Sequence, residues 1–275
     1  RRVLSDLIEW APASGSPVDS RGVTPEFLSH LGSVTVEALD HHPDGSALVF
    51  VPGAREVDHV VADLRSRLDG VEIVGLSGSM SAREQDRALS DPGDVRRVIV
   101  STAVAESSLT VPGVRLVVDS GLSREPRLDR DRGMTGLVTV RESRASAIQR
   151  AGRAARLGLG VAVRSLRPQD WSGMDADPAP EVDHADLVAP LLALAVWGSP
   201  RGEGMALPTP LPQDRVAEAE EELRDLGAVD ADGRVTDRGR QLATVPVDPR
   251  LARALVDGAP IVGSRRCAEI VAMLG

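Results

Sequence analysis

Lysine, asparagine and tyrosine do not occur in the 275 residues, cysteine occurs once, and aromatic side chains make up 2%. Without lysine the chain cannot carry a complete Walker A loop, whose lysine reaches the β and γ phosphates of a nucleotide. Cys267 has no partner for an internal disulfide. Five histidines with no paired cysteine give no zinc-ligand spacing, so no metal site owned by the chain is expected. No apolar run approaches the roughly 18 to 20 residues a membrane span needs, and Arg1-Arg2-Val3-Leu4 has no signal-peptide layout. A cytoplasmic protein without a membrane partner is expected. The uniform use of arginine also fits a coding bias toward GC-rich codons.

What is present suffices for a folded protein. At 42% hydrophobic and 27% charged, the sequence can bury a full core, with room for one large domain and one or two small ones. The net charge of -9 argues against a general nucleic-acid binder. The charge is unevenly spread, however. Arginines crowd between Arg115 and Arg167, whereas acids gather at Asp175 to Asp186 and Glu218 to Asp232.

Residues 1–44 hold Pro12, Gly15, Pro17, Gly22 and Pro25, lack sustained periodicity, and read as a connector with a short helix near Pro25 to Asp40. From residue 45 short apolar runs alternate with helical spacing. Ala47 to Val51, Val71 to Leu76, Val95 to Val100, Val114 to Val118 and Val161 to Leu166 read as strands. Val57, Val60, Val61, Leu64 and Leu68 lie on one helix face, and Ser81 to Leu89 reads as another helix. Near-continuous apolar strands separated by helices predict an α/β domain over 45–170, with a parallel sheet covered on both faces. Over 171–246, two helices, a hairpin turning at Asp232-Gly233 and a helix capped by Thr236 suggest a winged-helix domain. Residues 247–275 read as the start of a helical domain, and the chain looks truncated at both ends.

One stretch stands out chemically. In Gln149-Arg150-Ala151-Gly152-Arg153-Ala154-Ala155-Arg156, arginines recur every three residues among small residues, an arrangement suited to a partner rich in phosphate oxygens. A solvated arginine-rich helix is the alternative. The stretch resembles motif VI of the DEAH-type RNA helicases. Arg97 to Val114, containing Ser101-Thr102-Ala103-Val104-Ala105-Glu106-Ser107-Ser108-Leu109-Thr110, resembles motif V. Leu48 to Gly53 resembles motif IV, and Leu76-Ser77-Gly78-Ser79-Met80 resembles the segment between them. The resemblance spans about 45–255 and, with Leu194 to Gly198, leans toward the bacterial HrpB type.

The resemblance implies a second RecA-like domain whose ATP-Mg site is completed by a first such domain carrying the P-loop and metal-holding acids; the present chain alone should not hydrolyse ATP. It implies that Gln149 orients the attacking water, that Arg153 and Arg156 act as arginine fingers, and that Gly152, Ser108 and Thr110 lie near the nucleotide. It places Arg55, Thr102, Arg124, Arg127 and Arg130 against single-stranded RNA. The bland readings stay open: hydroxyls that merely cap a turn, solvated hairpin arginines, and an Arg150 that braces the domain through acids such as Glu106. Ala103, Ser77 and Ala155 stand where the motifs have asparagine, histidine and glycine, and the Ala155 methyl could crowd a surface across the cleft. A catalytically degenerate relative that only binds nucleic acid or protein is the alternative function. A transcription-factor winged helix is less suited, because the helix from Asp214 to Asp225 is acidic.

Overall fold

The computed structural model describes residues 3–7, 16–90, 93, 95–106, 111–129, 134–156 and 158–274. Its elements run in the order β1 (Val3–Leu7), β2 (Val18–Asp19), β3 (Gly22–Val23), α1 (Pro25–His41), β4 (Ser46–Phe50), α2 (Ala54–Arg67), β5 (Glu72–Leu76), α3 (Ala82–Leu89) and β6 (Arg97–Ser101). They continue with β7 (Val114–Asp119), β8 (Leu122–Asp129), β9 (Met134–Arg141), α4 (Arg144–Ala151), β10 (Gly160–Arg164), α5 (Pro168–Ser172), α6 (Val188–Trp197), α7 (Gln213–Asp225), α8 (Asp237–Ala243), α9 (Pro249–Val262) and α10 (Ser264–Leu274). Contacts divide the chain into one unit of 1–125 with 137–178 and another of 126–136 with 179–275.

The first unit is built on a parallel six-stranded sheet in the order β1-β10-β7-β4-β6-β5. Side chains alternate between its two faces, and both faces are covered, which is why the strands read as unbroken apolar runs. Ala47, Val49, Val98, Val100, Leu116 and Val118 pack with α1 and α2 on one face. Leu48, Phe50, Ile99 and Val117 pack with Ala151 and Ala154 on the other.

Of the segment expected to be a connector over 1–44, the helix near Pro25 to Asp40 is present as α1, but a sheet strand, β1, precedes it. The backbone of β1 pairs in parallel with β10, from Val3↔Gly160 to Leu7↔Arg164. Helix α1 is 17 residues long and buries Phe27, Leu28, Leu31, Val34, Ala38 and Leu39. Thr24 caps it by accepting from the Phe27 amide at 3.4 Å, and Pro25 supplies a first-turn φ at no hydrogen-bond cost. The sheet unit therefore begins well before residue 45.

In the second unit α6, α7 and α8 enclose a core of Leu187, Leu191, Leu192, Val216, Leu223 and Leu242. The expected hairpin closes through a single Val229↔Val235 bridge, and Thr236 caps α8 by accepting from the Gly239 amide at 3.0 Å. Ala252 of α9 belongs to the same core, so no boundary separates residue 247 from the helices before it.

Gly160 opens β10 directly against the 3-10 turn 152–155. A Cβ there would overlap the Ala154 carbonyl, which is main chain and has no rotamer through which to yield. Gly160→Ala is expected to cost about 1 to 3 kcal/mol of stability by overpacking. Gly152→Ala, whose Cβ would meet nothing within 4 Å, should change stability little. Chemical denaturation of the two variants checks this, and equal midpoints would contradict it.

Candidate functional site

Strand β6 delivers Ser101 and Thr102 to the carboxyl edge of the sheet, where parallel sheets bind ligands. The Thr102 amide donates to the Leu76 carbonyl at 3.1 Å, and its own carbonyl accepts from the Ala105 amide. A 3-10 turn, Ala103–Ala105, follows, and Glu106 closes it by donating its amide to the Ala103 carbonyl at 2.8 Å. The Thr102 hydroxyl makes no cap bond to this turn, so capping does not account for it. Ser108 and Thr110 lie outside the described residues.

Motif VI begins as α4 and then tightens into a 3-10 turn over Gly152–Ala155. Three residues per turn keep side chains at three-residue steps aligned, which the 3.6-residue α-helix does not. The arginines nevertheless do not form a solvated face. Arg150 is 1% exposed and Arg153 is buried, whereas Arg156 is half-buried. The alanines Ala147, Ala151, Ala154 and Ala155 are all buried, so the small residues serve close packing within the domain.

Arg150 is enclosed by acids. Its Nε donates to Glu106 Oε2 at 2.9 Å, and its Nη1 donates to Asp119 Oδ1 at 3.0 Å and to the Leu122 carbonyl at 3.1 Å. The guanidinium lies 5.1 Å from the centre of the Phe50 ring. Glu142 Oε2 is 2.8 Å from Nη1 but out of line for a hydrogen bond, and neither Glu142 oxygen nor Asp119 Oδ2 receives a protein donor. Burial first, and then the neighbouring Asp119 charge, push the Glu142 carboxyl up to about 10, against the pull of Arg150. This favours the neutral form of Glu142, and a hydrogen bond with the Asp119 side chain raises its pKa further. The bracing role weighed for Arg150 is the geometry observed.

Glu106 organises the rest of motif VI. Its Oε1 accepts from Ser146 Oγ at 2.8 Å, and its carbonyl accepts from Gln149 Nε2 at 3.4 Å and from the Arg153 guanidinium. Burial, and then the neighbouring Arg156 charge, lower the Arg153 pKa. Gln149 and Gly152 are exposed beside them. The structure therefore gathers Gln149, Gly152, Arg153 and Arg156 at the end of α4, next to the turn that Thr102 starts.

The residues expected to face RNA separate into groups. Arg55 is exposed in the first turn of α2, and Arg127 is exposed on β8. Arg124 is half-buried and donates to Glu56 Oε1 at 3.1 Å; a Cβ on Gly53 would collide with this pair. Arg130 lies outside the described residues. Sequence reasoning missed Asp119 and Glu142. The available signal was an acid ending an otherwise apolar strand, Val114 to Val118, and another directly after β9.

The helicase conserved C-terminal domain family matches residues 29–158, and the winged-helix helicase-associated domain (HA2) matches 219–247. The ATP-dependent RNA helicase HrpB of Escherichia coli is 36% identical over 250 residues, which are 90% of this chain and 31% of that protein. A crystal structure of the Escherichia coli DExH-box NTPase HrpB superimposes with a TM-score of 0.83 at 32% identity, covering 99% of this chain and 32% of that one.

The chain belongs to the DEAH-type helicases, as an HrpB-like C-terminal part. The ATP-dependent RNA helicase HrpA of Escherichia coli is 33% identical over 81% of the chain and 18% of its own length. A second crystal structure, of the Escherichia coli DEAH/RHA helicase HrpB, gives a TM-score of 0.85 over 99% of the chain and 33% of its own. The chain thus spans about a third of the HrpB sequence. Among the described residues no helix is long and apolar enough to cross a membrane. Ala155 is the position at which the resemblance to motif VI expects a glycine. Its methyl is buried, so it does not project into a cleft.

Two outcomes are expected. Folding at neutral pH charges Glu142 with a proton that the unfolded carboxyl, with a pKa of about 4.3, does not hold. Stability from this group is complete below that value and is lost as pH rises toward about 10. Glu142→Gln, which fixes the neutral form, should match wild type near pH 5 and gain on it steadily toward pH 9 in thermal unfolding. A pH-independent difference would rule out the neutral acid. Ala155→Gly should lower stability by about 1 to 2 kcal/mol, through lost burial and poorer helical propensity. Calorimetry measures the loss, and an unchanged transition would show that the methyl is not packed.

Proposed function

We propose that the chain is the C-terminal motor half of an ATP-dependent RNA helicase, acting with a RecA-like domain that carries the P-loop and the Mg-holding acids. One observation carries this reading: an amide, Gln149, and a guanidinium, Arg153, meet on the Glu106 carbonyl, with Arg156 beside them. The relatives named ATP-dependent RNA helicases support the same activity class. This donor set suits phosphate oxygens. It contains no carboxylate cage of its own, and among the described residues no group of three His, Cys, Asp or Glu side chains is arranged to hold a metal.

Bound ATP supplies the phosphoryl group transferred to water, and Mg2+ neutralises part of the phosphate charge. Arg153 and Arg156 stabilise the charge that spreads over the phosphoryl oxygens, an effect worth about 10³ to 10⁵ in rate for arginine fingers. Arg153 suits this role physically, because burial beside a second guanidinium makes an incoming anion favourable. Gln149 holds the attacking water. Gly152 lets the phosphate chain approach the turn, and Ser108 and Thr110 complete the nucleotide side. Arg55, Thr102 and Arg127 take the RNA backbone, with recognition through phosphate and therefore largely independent of sequence. Arg124 serves the Arg55 side of the sheet unit through its pairing with Glu56 beside motif IV.

In the protein carrying both RecA-like domains, Arg156→Ala should lower the turnover number of RNA-stimulated ATP hydrolysis by at least about tenfold, on the order of 1.4 kcal/mol, with a much smaller loss of nucleotide affinity. Steady-state kinetics with equilibrium nucleotide binding separate the two effects. Substantial wild-type hydrolysis unaffected at both Arg153 and Arg156 would remove the finger assignment. A wild type as inactive as its variants would instead indicate a degenerate relative.

A further inference from the structure

Glu106 lies outside the set of groups assigned to ATP above, yet it is the point on which that set is assembled. Its carboxylate is fixed at both oxygens, by Ser146 Oγ at 2.8 Å and by Arg150 Nε at 2.9 Å. Its carbonyl receives Gln149 at 3.4 Å and Arg153. Every one of these partners is on α4 or the turn that continues it. Glu106 itself terminates the turn that starts at Thr102, so one short segment joins the strand end of β6 to the working end of motif VI.

The division between its two ends is informative. Among the described residues, the carboxylate bonds to groups with no assigned part in ATP chemistry, whereas the carbonyl bonds to groups that have one. Pinning the carboxylate fixes the peptide behind it, and with it the acceptor that aims Gln149 and Arg153. Catalytic groups must be held to within a fraction of an ångström to be productive, and a small misplacement can cost about 10²-fold in rate. We propose that Glu106 is a positioning residue for ATP hydrolysis, holding the Gln149 amide and the Arg153 guanidinium through its carbonyl while Ser146 and Arg150 lock its side chain. This rests on the assignment of Gln149 and Arg153 made above.

The test is a double-mutant cycle in the protein carrying both RecA-like domains. Glu106→Gln retains the shape and one acceptor oxygen but loses the charge that secures Arg150 and Ser146 together. It should lower kcat for ATP hydrolysis by roughly tenfold, with KM for ATP changed by less than about threefold. In an Arg153→Ala background the same change should lower kcat by only about threefold, because one of the two groups it positions is gone while Gln149 remains. Ser146→Ala, which removes one of the two side-chain locks and leaves Arg150 on its acids, should lower kcat by about threefold and decides the matter if Glu106→Gln fails to fold. The inference is overturned if folded Glu106→Gln keeps wild-type kcat, if its loss is fully multiplicative with that of Arg153→Ala, or, where only Ser146→Ala folds, if that variant turns over like wild type. Failure of the underlying assignment looks different, since Arg153→Ala alone would then leave kcat unchanged.

Discussion

A guanidinium sealed from water must be surrounded by acceptors or the fold that contains it does not form, and Arg150 imposes this condition on most of the sheet unit. It draws on Glu106 beyond β6, Asp119 at the end of β7, Leu122 at the start of β8, Glu142 after β9 and the Phe50 ring on β4. These positions are scattered in sequence and meet only when the sheet, the hairpin base and α4 are assembled together. Breaking a buried ion pair by removing one partner typically costs about 3 to 5 kcal/mol, because the other charge remains without compensation. The cluster therefore makes docking of motif VI on the sheet close to all-or-none.

Charge accounting within motif VI separates two uses of one residue type. Arg150 has more carboxylates than it can neutralise, and the excess is resolved by keeping Glu142 protonated. Arg153 sits in the opposite environment, with burial and a second cation lowering its pKa. A saturated arginine has little electrostatic reason to bind phosphate, whereas a partly desolvated pair of cations has a strong one. The three-residue spacing looks uniform in sequence, yet Arg150 is enclosed by three carboxylates while Arg153 lies beside a second cation.

The strands were legible because parallel strands buried on both faces read as apolar runs: Ala47 to Val51 and Val114 to Val118 became β4 and β7 within a residue or two. The cap at Thr236 was legible for a similarly local reason, since a short side-chain acceptor satisfies an amide in the next turn. The segment before residue 45 was read only in part. The helix expected near Pro25 to Asp40 is α1, but the prolines and glycines between Pro12 and Pro25 hid the edge strand that precedes them. In the site, residue types near motif VI pointed to phosphate chemistry, but burial did not show in the sequence. Nothing local to Arg150 distinguishes it from Arg156, and Arg124 gives no sign of its pairing with Glu56. Such facts belong to residues brought together from distant parts of the chain.

The pairing of β1 with β10 has a consequence for how the sheet assembles. Val3 lies against Gly160, so the strand synthesised first among those described has its only neighbour in the sheet synthesised last. Parallel pairings of such separation form slowly, because the intervening chain must be ordered before the contact is rewarded. Until β10 is complete β1 has nothing to pair with, and until β1 returns the outer edge of β10 offers unpaired amides and carbonyls to any other strand. On a ribosome the emerging chain would hold β1 in reserve while β4 to β7 collapse around their own helices. Refolding yield should therefore be set by how well that one exposed edge is shielded in the interval, a demand on chaperones that the finished domain no longer displays.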